Sequence, residues 1–446
     1  MRMALPQDVL WILQRFEAAG LRAYAVGGCV RDTLLGLPPK DWDLCTAAKP
    51  EAVLRLFRDQ HVIKTGLKHG TVTLMLHHQP YEITTFRVDG AYTDHRHPDQ
   101  VQFGEDIQGD LSRRDFTINA MAYHPDAGLI DLFGGQSDLR SGLIRCVGDP
   151  ATRFEEDALR ILRALRFASV YGFRLDDDTA RAAHLLAPTL HRVAMERVRV
   201  ELCKLLCGRD AAILLTDHAA ILFELFPELR PMQGFDQRNP HHRYDVWTHT
   251  VRVIDACPAT EVLRLSALLH DSGKPPAFTV DAQGIGHFNG HPKLSADIAE
   301  AVLRRLKTDT ATLDAVTMLV LRHDEELRPE RRLMRRRLNQ LGVERLRQLI
   351  QLHRADRIGT GTCTMPDIDA ETDALTATLD QLIAENAAFS LRQLDIDGRA
   401  LIALGYRGQA IGQELQSLLD RAIGEEIGNT KKELLAAAEA DYVENR

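Results

Sequence analysis

Between Ala23 and Leu44 the chain reads AYAVGGCVRDTLLGLPPKDWDL, an order of residues that few folds accommodate. Arg22–Val26 is a short apolar run of strand character. Gly27-Gly28 interrupts it, and Cys29–Leu35 has helical spacing that ends at Gly36 and Pro38. A strand turning through glycine into a helix lets backbone N–H groups approach phosphate oxygens, and Arg31 in the first turn adds a charged donor to the same anion. Asp41 and Asp43 follow, either side of Trp42. In a strand, residues i and i+2 share a face, so the two carboxylates converge. Carboxylates held that close repel unless a divalent cation lies between them. Two hard oxygen donors suit Mg²⁺, which keeps waters and recruits substrate phosphates. An isolated Asp-x-Asp is more often a pair of surface acids; the Gly-Gly-x-x-Arg-Asp element upstream favours the metal reading.

GG-x-V-R-D followed by K-D-W-D-L resembles the head of the class II tRNA nucleotidyltransferases, the polymerase β-like group that includes CCA-adding enzymes and bacterial poly(A) polymerases. The resemblance implies an α+β head with a mixed sheet, in which Asp41 and Asp43 hold Mg²⁺ and are the catalytic pair, and Gly28 and Arg31 contact nucleotide. Later motifs extend it over nearly the whole chain.

The 446 residues exceed one ordinary core and suggest roughly three or four domains. At 45% hydrophobic and 26% charged residues the composition is that of a globular protein. Met1–Leu13 lacks the basic start and long apolar run of a signal peptide, and no apolar run approaches the roughly 20 residues that span a bilayer. Seven scattered cysteines without a CxxC pair suit reduced thiols, hence a cytoplasmic protein with no membrane partner. A net charge of −8 does not advertise nucleic-acid binding, so an RNA partner requires local basic patches.

The head is expected over 1–150. Asp8–Ala19 reads as an amphipathic helix, Pro50–Phe57 as a helix, and Thr71–Leu76 and Tyr81–Phe86 as strands. Glu82 is the candidate for a third metal-site carboxylate, an edge-strand glutamate being the alternative. Asp89–Phe103 is polar, with Gly90 and Pro98, and reads as a mobile loop; by resemblance, a full-length loop here serves addition of the final adenosine. In Ser112–Ala122, SRRDFTINAMA, the triplet Arg113, Arg114, Asp115 precedes an expected apolar helix containing Asn119. Asp115 is placed to cap that helix. The segment matches the family's RRDxxxNA element, which implies nucleotide binding by Arg113, Arg114, Asp115 and Asn119, with Arg114 at triphosphate or ribose.

A helical neck is expected over 151–232. Phe154–Phe167, FEEDALRILRALRF, reads as one helix with Leu159, Ile161, Leu162 and Leu165 buried. Asp157 and Arg160, three apart, share a face and can pair, and Arg163 and Arg166 continue the ladder. A surface salt bridge is the plain reading. The element also resembles the family's EDxxR motif, which implies that Asp157 and Arg160 select the base with Arg163 and Arg166 assisting. Arginine offers a fixed donor fork and carboxylate accepts from an exocyclic amine, which CTP and ATP both carry.

Over 233–360, His249, His270, Asp271, His287, His291, His323 and Asp356 stand out. An adjacent His-Asp at the end of a buried helix puts imidazole and carboxylate beside one pocket. The pattern resembles HD-domain metal phosphohydrolases. It implies His249, His270, Asp271 and Asp356 as ligands of a first divalent metal (Mg²⁺, Mn²⁺ or Ni²⁺), His291 and His323 as additional ligands, and hydrolysis of phosphoesters such as 2′,3′-cyclic phosphates. A retained metal fold serving RNA binding is the alternative. Arg328–Arg337, RPERRLMRRR, is the densest basic run and suits a phosphate backbone.

A helical tail is expected over 361–446, with Gly361–Pro366 as linker, Leu375–Asn386 helical, and Gly405-Tyr406-Arg407-Gly408 between two helices. The resemblance as a whole implies a CCA-adding enzyme acting on the tRNA 3′ end with CTP and ATP, without DNA, as monomer or homodimer. A poly(A) polymerase, a partial CC- or A-adding enzyme, and an inactive RNA-binding or nucleotide-sensing protein are the alternatives.

Overall fold

The computed structural model describes residues 3–67, 70–89, 101–104, 106–385 and 390–444. They divide into two compact units, Met1–Pro227 and Glu228–Arg446.

The first unit opens with α1 (Gln7–Ala18), β1 (Ala23–Val26), α2 (Gly28–Leu34), β2 (Leu44–Thr46), α3 (Pro50–Leu56) and β3 (His61–Ile63). It continues through β4 (Thr71–Leu76), β5 (Gln79–Thr85), β6 (Arg87–Asp89), β7 (Val101–Phe103), α4 (Ile107–Ser112), β8 (Met121–His124), β9 (Gly128–Asp131) and α5 (Gly135–Ser141). Seven strands form one mixed sheet in the order β3-β4-β5-β2-β1-β8-β9, antiparallel throughout except for β5 beside β2. Ile12 and Phe16 of α1 pack with Phe57, Leu74 and Ile83 in a closed apolar cluster. That packing fixes the sheet on which the site residues sit, as burying large aromatic and branched side chains stabilises by about 1.5–3 kcal/mol each. The α+β head expected from the sequence is therefore present.

Two local expectations fail. No helix follows Asp115: α4 precedes the Arg113–Asp115 triplet, and after it there is only a single 3₁₀ turn, Thr117–Asn119, before β8. The β-branched Thr117 and Ile118 and the pairing of Ala122 and Tyr123 with β1 at mid-sheet outweigh the local helical pattern. Asp41 and Asp43 likewise precede β2 rather than lying within it, although the Asp43 carbonyl accepts the Val26 N–H at 2.9 Å and so joins the ladder. Of the loop expected at Asp89–Phe103, the ends form the antiparallel β6–β7 ribbon, and 90–100 lie outside the described residues.

The remainder of this unit is helical: α6 (Pro150–Glu156), α7 (Leu159–Tyr171), α8 (Asp177–Leu186), α9 (Met195–Leu206), α10 (Ala211–Asp217) and α11 (Ala219–Leu225), with a small β pair. Leu159, Ile161, Leu162 and Leu165 are all buried as expected. The single helix expected over Phe154–Phe167 is instead broken at Asp157, whose backbone is extended (φ −148°, ψ 101°). Its carboxylate accepts the Leu159 N–H at 3.1 Å at the start of α7. Asp157 competes for local backbone donors, as short acids do, and interrupts the helix it sits in.

The second unit contains α12 (Val246–Ala256), α13 (Glu261–Leu269), α14 (Lys274–Ala277), α15 (His291–Arg305), α16 (Thr310–Arg322), α17 (Arg331–Thr360), α18 (Met365–Ala384), α19 (Gly398–Leu404), α20 (Gln409–Ile423) and α21 (Lys431–Glu444). Gly342 (φ 74°, ψ 171°) divides α17 into two helical runs. α18 starts earlier than expected: Thr364 caps it and Pro366 lies in its first turn, where proline costs no hydrogen bond.

Candidate functional site

In the first unit the turn between β1 and α2 is made by Gly27 at φ 80°, ψ −126°, a conformation that L side chains avoid. A Cβ there would lie 2.8 Å from an Arg114 Nη1. The sequence pointed to Gly28; the structure adds Gly27 as the residue whose missing side chain admits Arg114. Gly27→Ala is expected to lower unfolding free energy by about 1–3 kcal/mol from backbone strain alone. A urea midpoint equal to wild type would contradict that.

Around the turn, Asp43 is mostly buried, and burial followed by the charges of Asp41 and Glu82 pushes its carboxyl up to about 6, against the pull of Arg114. Glu82 lies next to Ile83, the register partner of Leu44 across the parallel pair. Asp41, Asp43 and Glu82 thus form a mutually repelling acid group. This is the electrostatic situation a divalent cation relieves, and hard oxygen donors fit Mg²⁺. Arg114 donates to Asp110 at 3.2 Å and Arg113 donates to the same acid at 2.6 and 3.0 Å. Burial raises the Asp110 carboxyl, but Arg114 and Arg113 outweigh it and hold it below the usual range.

A second chain of contacts runs from this turn to the helices. Arg31 donates to Asn119 Oδ1 at 2.5 Å and to Asp32 at 2.8 Å, and lies 4.8 Å from the Tyr171 ring centroid. Asn119 donates to Asp115 at 3.0 Å, and Asp115 accepts from Arg163 at 2.6 and 2.8 Å. Arg163 and Arg166 both face Glu201, Arg166 at 2.7 Å. Burial pushes the Asp115 carboxyl up, and Arg163, the Asn119 hydrogen bond and the Arg160 charge together more than reverse this, leaving it well below the ordinary range.

Asp157 and Arg160 do not pair with each other. Asp157 pairs with Arg197 of α9 at 2.7 Å, whereas Arg160 binds Glu156 at 2.5 Å and the carbonyls of Arg153 and Arg113 at 3.1 Å each. The extended backbone at Asp157 removes the helical i,i+3 geometry on which that pairing depended. Arg197, Glu156, Glu201 and Asp110 were not singled out from the sequence. The partners of Arg197 and Glu201 lie on other elements, so no local spacing marks them, whereas Glu156 and Asp110 pair three and four positions away, with Arg153 and Arg160 and with Arg113 and Arg114, a signal the sequence did carry.

In the second unit the six metal-ligand candidates come together. His249 Nε2 lies 3.2 Å from Asp271 Oδ2 and 2.9 Å from Asp356 Oδ1; His270 Nε2 lies 3.3 and 3.5 Å from the same two oxygens. The other oxygen of Asp271, Oδ1, faces His291 and His323 at 3.5 Å each. Both Asp271 oxygens are buried and, among the described residues, accept no well-aligned hydrogen bond. His270, His291 and His323 each direct Nδ1 at a backbone carbonyl, at 2.7–2.9 Å, which fixes the proton there and turns the Nε2 lone pair inward. This donor set fits divalent metal in two half-sites bridged by Asp271. Lys274 Nζ touches Asp271 at 2.7 Å and Gln237 at 3.0 Å. A Cβ on Gly359 would be 2.5 Å from Val253 and 3.1 Å from His249, so glycine there seats the His249 ring. His287 lies apart, bonded to Asp281 on an exposed hairpin.

The basic run is not a uniform patch. Arg328 pairs with Glu326, Arg331 with Glu385, Arg335 with Glu425 and Arg337 with Glu325, while Arg332 and Arg336, one turn apart, are exposed. Among the described residues, no helix is long and apolar enough to cross a membrane.

Family models match a poly A polymerase head domain over residues 23–145, a probable RNA and SrmB-binding site of polymerase A over 172–232, and an HD domain over 241–361. The models define a class, proteins that carry a poly A polymerase head domain and an HD domain, and the chain is similar to it over both segments. Within that class the proteins it resembles are CCA-adding enzymes. That of Leuconostoc mesenteroides is 51% identical over 211 residues, 47% of this chain and 52% of the relative. That of Ligilactobacillus salivarius is 41% identical over 250 residues, 54% of this chain and 61% of the relative. The chain spans about half the length of the curated relatives it matches. The solved Bacillus stearothermophilus CCA-adding enzyme in complex with CTP superposes with a TM-score of 0.73 at 28% identity, covering 98% of each chain. The Thermotoga maritima CCA-adding enzyme complexed with tRNA shares the fold at 21% identity, with a TM-score of 0.58 and 98% and 96% of the chains covered.

Proposed function

We propose that the chain is a CCA-adding tRNA nucleotidyltransferase of the cytoplasm, organised as head (1–150), neck (151–232), HD body (233–360) and tail (361–446). The observation that carries this reading is the meeting of the Asp41, Asp43 and Glu82 charges with Arg114 above the Gly27 turn. Asp41 and Asp43 would hold Mg²⁺, which when bound activates the attacking hydroxyl and stabilises leaving pyrophosphate. Gly27, Gly28, Arg31, Arg113 and Arg114 receive the triphosphate and ribose, with Asp115 and Asn119 holding Arg31 and Arg163 in place. The tRNA 3′-hydroxyl attacks the α-phosphorus of CTP or ATP, one phosphodiester forms, and pyrophosphate leaves.

Asp157 and Arg160, with Arg163 and Arg166 behind them, present the acceptor and donor fork that a cytosine or adenine edge satisfies. UTP and GTP carry a carbonyl where CTP and ATP carry that amine, which leaves Asp157 without its partner at a cost of about 1–3 kcal/mol, so both are refused without a nucleic-acid template. The clustered ligands around Asp271 support a second activity, metal-dependent hydrolysis of terminal or 2′,3′-cyclic phosphates on damaged tRNA ends, with Mg²⁺, Mn²⁺ or Ni²⁺.

Transcripts ending at the discriminator base, in C and in CC, incubated with Mg²⁺ and CTP, ATP or both, test the main reading. Each is expected to be completed to CCA and to stop. A long A ladder would mean a poly(A) polymerase, and arrest at CC a partial enzyme. No extension on any transcript would favour an inactive RNA-binding protein.

A further inference from the structure

Asp110 has no part in the roles assigned above, yet it is a fully buried carboxylate in the first unit. An acid there is costly unless each oxygen is occupied. One oxygen takes two bonds from Arg113, at 2.6 and 3.0 Å, and the other takes Arg114 Nη2 at 3.2 Å. The rest of the Arg114 guanidinium extends from this anchor to Gly27, where a Cβ would sit 2.8 Å from Nη1, and its charge reaches Asp43. Arg114 Nε is buried with no hydrogen-bond partner. Among the described residues Asp110 is the acid to which Arg114 is hydrogen-bonded, so its orientation over the glycine turn is set there.

We propose that Asp110 is a positioning residue for nucleotide triphosphate. It aims the free arm of Arg114 across the Gly27 turn at the phosphates, and its second oxygen fixes Arg113 beside it. The inference rests on the nucleotidyltransferase reading and goes beyond it by naming what orients the cation. Arginine has five donors in a rigid fork, so a carboxylate gripping one side leaves the opposite Nη pointed along a defined line, which a flexible ammonium would not do.

The test separates triphosphate recognition from general structure. Asp110→Asn keeps the shape and loses the charge. KM for CTP and ATP is expected to rise about tenfold or more, with kcat changed less than about threefold, because the contact is made before and during reaction alike. CTP is expected to lose its affinity advantage over CMP, measured by calorimetry, while CMP binding stays as in wild type. In an Arg114→Ala background, the effect of Asp110→Asn is expected to shrink to less than about threefold, the part that acts through Arg113. Equal weakening of CTP and CMP, or an undiminished Asp110→Asn effect without Arg114, would overturn the proposal.

Should the amide fail to fold, Asp110→Glu keeps the charge but moves the fork by one methylene. The same CTP-selective loss is expected, and unchanged CTP affinity would reject the inference. Wild-type protein that binds no CTP rejects the nucleotidyltransferase reading and this one together. Wild type that prefers CTP to CMP, with Asp110→Asn keeping that preference, rejects this one alone.

Discussion

Asp41→Ala is expected to lower nucleotide addition by about a thousandfold or more, with tRNA affinity changed less than about twofold. The two effects separate because Asp41 is exposed and contributes to no core, while its charge faces the half-buried Asp43. With alanine in place, one hard donor is lost and Asp43 alone cannot hold a hexacoordinate ion against its hydration shell. Raising Mg²⁺ is expected to recover only a minor part of the rate, since the ion would return without its bridging geometry. Single-turnover extension of a transcript ending in CC, with saturating ATP, measures this. Addition within about tenfold of wild type would remove Asp41 from the catalytic pair.

The second large effect concerns the other unit. Asp271→Ala is expected to weaken Mn²⁺ or Ni²⁺ binding by at least about 10–100-fold at both half-sites and to abolish hydrolysis of 2′,3′-cyclic phosphate ends. A single residue does this because its two oxygens face different histidine sets, His249 and His270 on one side and His291 and His323 on the other. His323→Ala, by contrast, is expected to remove one equivalent of metal and spare the other. The carboxylate also neutralises the buried Lys274, so alanine costs about 3–5 kcal/mol of stability in addition. Asp271→Asn keeps the volume and is the companion variant. Metal titration and phosphatase assay, each with and without added ion, read the outcome. Equal hydrolysis by wild type and variant would sink the hydrolase assignment, whereas unchanged CCA addition in both is expected.

Much of this was legible in the residues. The glycine turn after β1, the acids either side of Trp42 and the His-Asp closing α13 are local patterns; the structure places the turn and the His-Asp pair where the sequence put them, and the two acids just before β2 rather than within it. Sequence reasoning failed where partners are remote. Asp157 reads as the acid of an i,i+3 pair with Arg160, but the extended backbone at that residue hands it to Arg197, forty positions away. The Asn119 segment has helical periodicity, but Asn119 itself sits in a single 3₁₀ turn, after which β8 pairs with β1 at mid-sheet. Gly27 was visible as half of a Gly-Gly pair. Which of the two glycines carries the positive φ follows from the approach of Arg114, a tertiary fact. Of the arginines in the 328–337 run, Arg331 and Arg335 looked unpaired because their acids, Glu385 and Glu425, are distant in sequence, whereas Arg328 and Arg337 pair with the nearby Glu326 and Glu325.

Asp115 has a consequence for how such chains can be recombined. Its carboxylate is gripped by Asn119 on one side and by Arg163 on the other, with Arg31 beyond the first and Glu201 beyond the second. A head and a neck taken from different relatives would be compatible only when Asp115 and Arg163 travel as a pair. A junction that keeps one without the other strands a charge in the interior. On the roles proposed above, base choice is tied to the residues that would hold the phosphates, and a change in one is expected to require a change in the other.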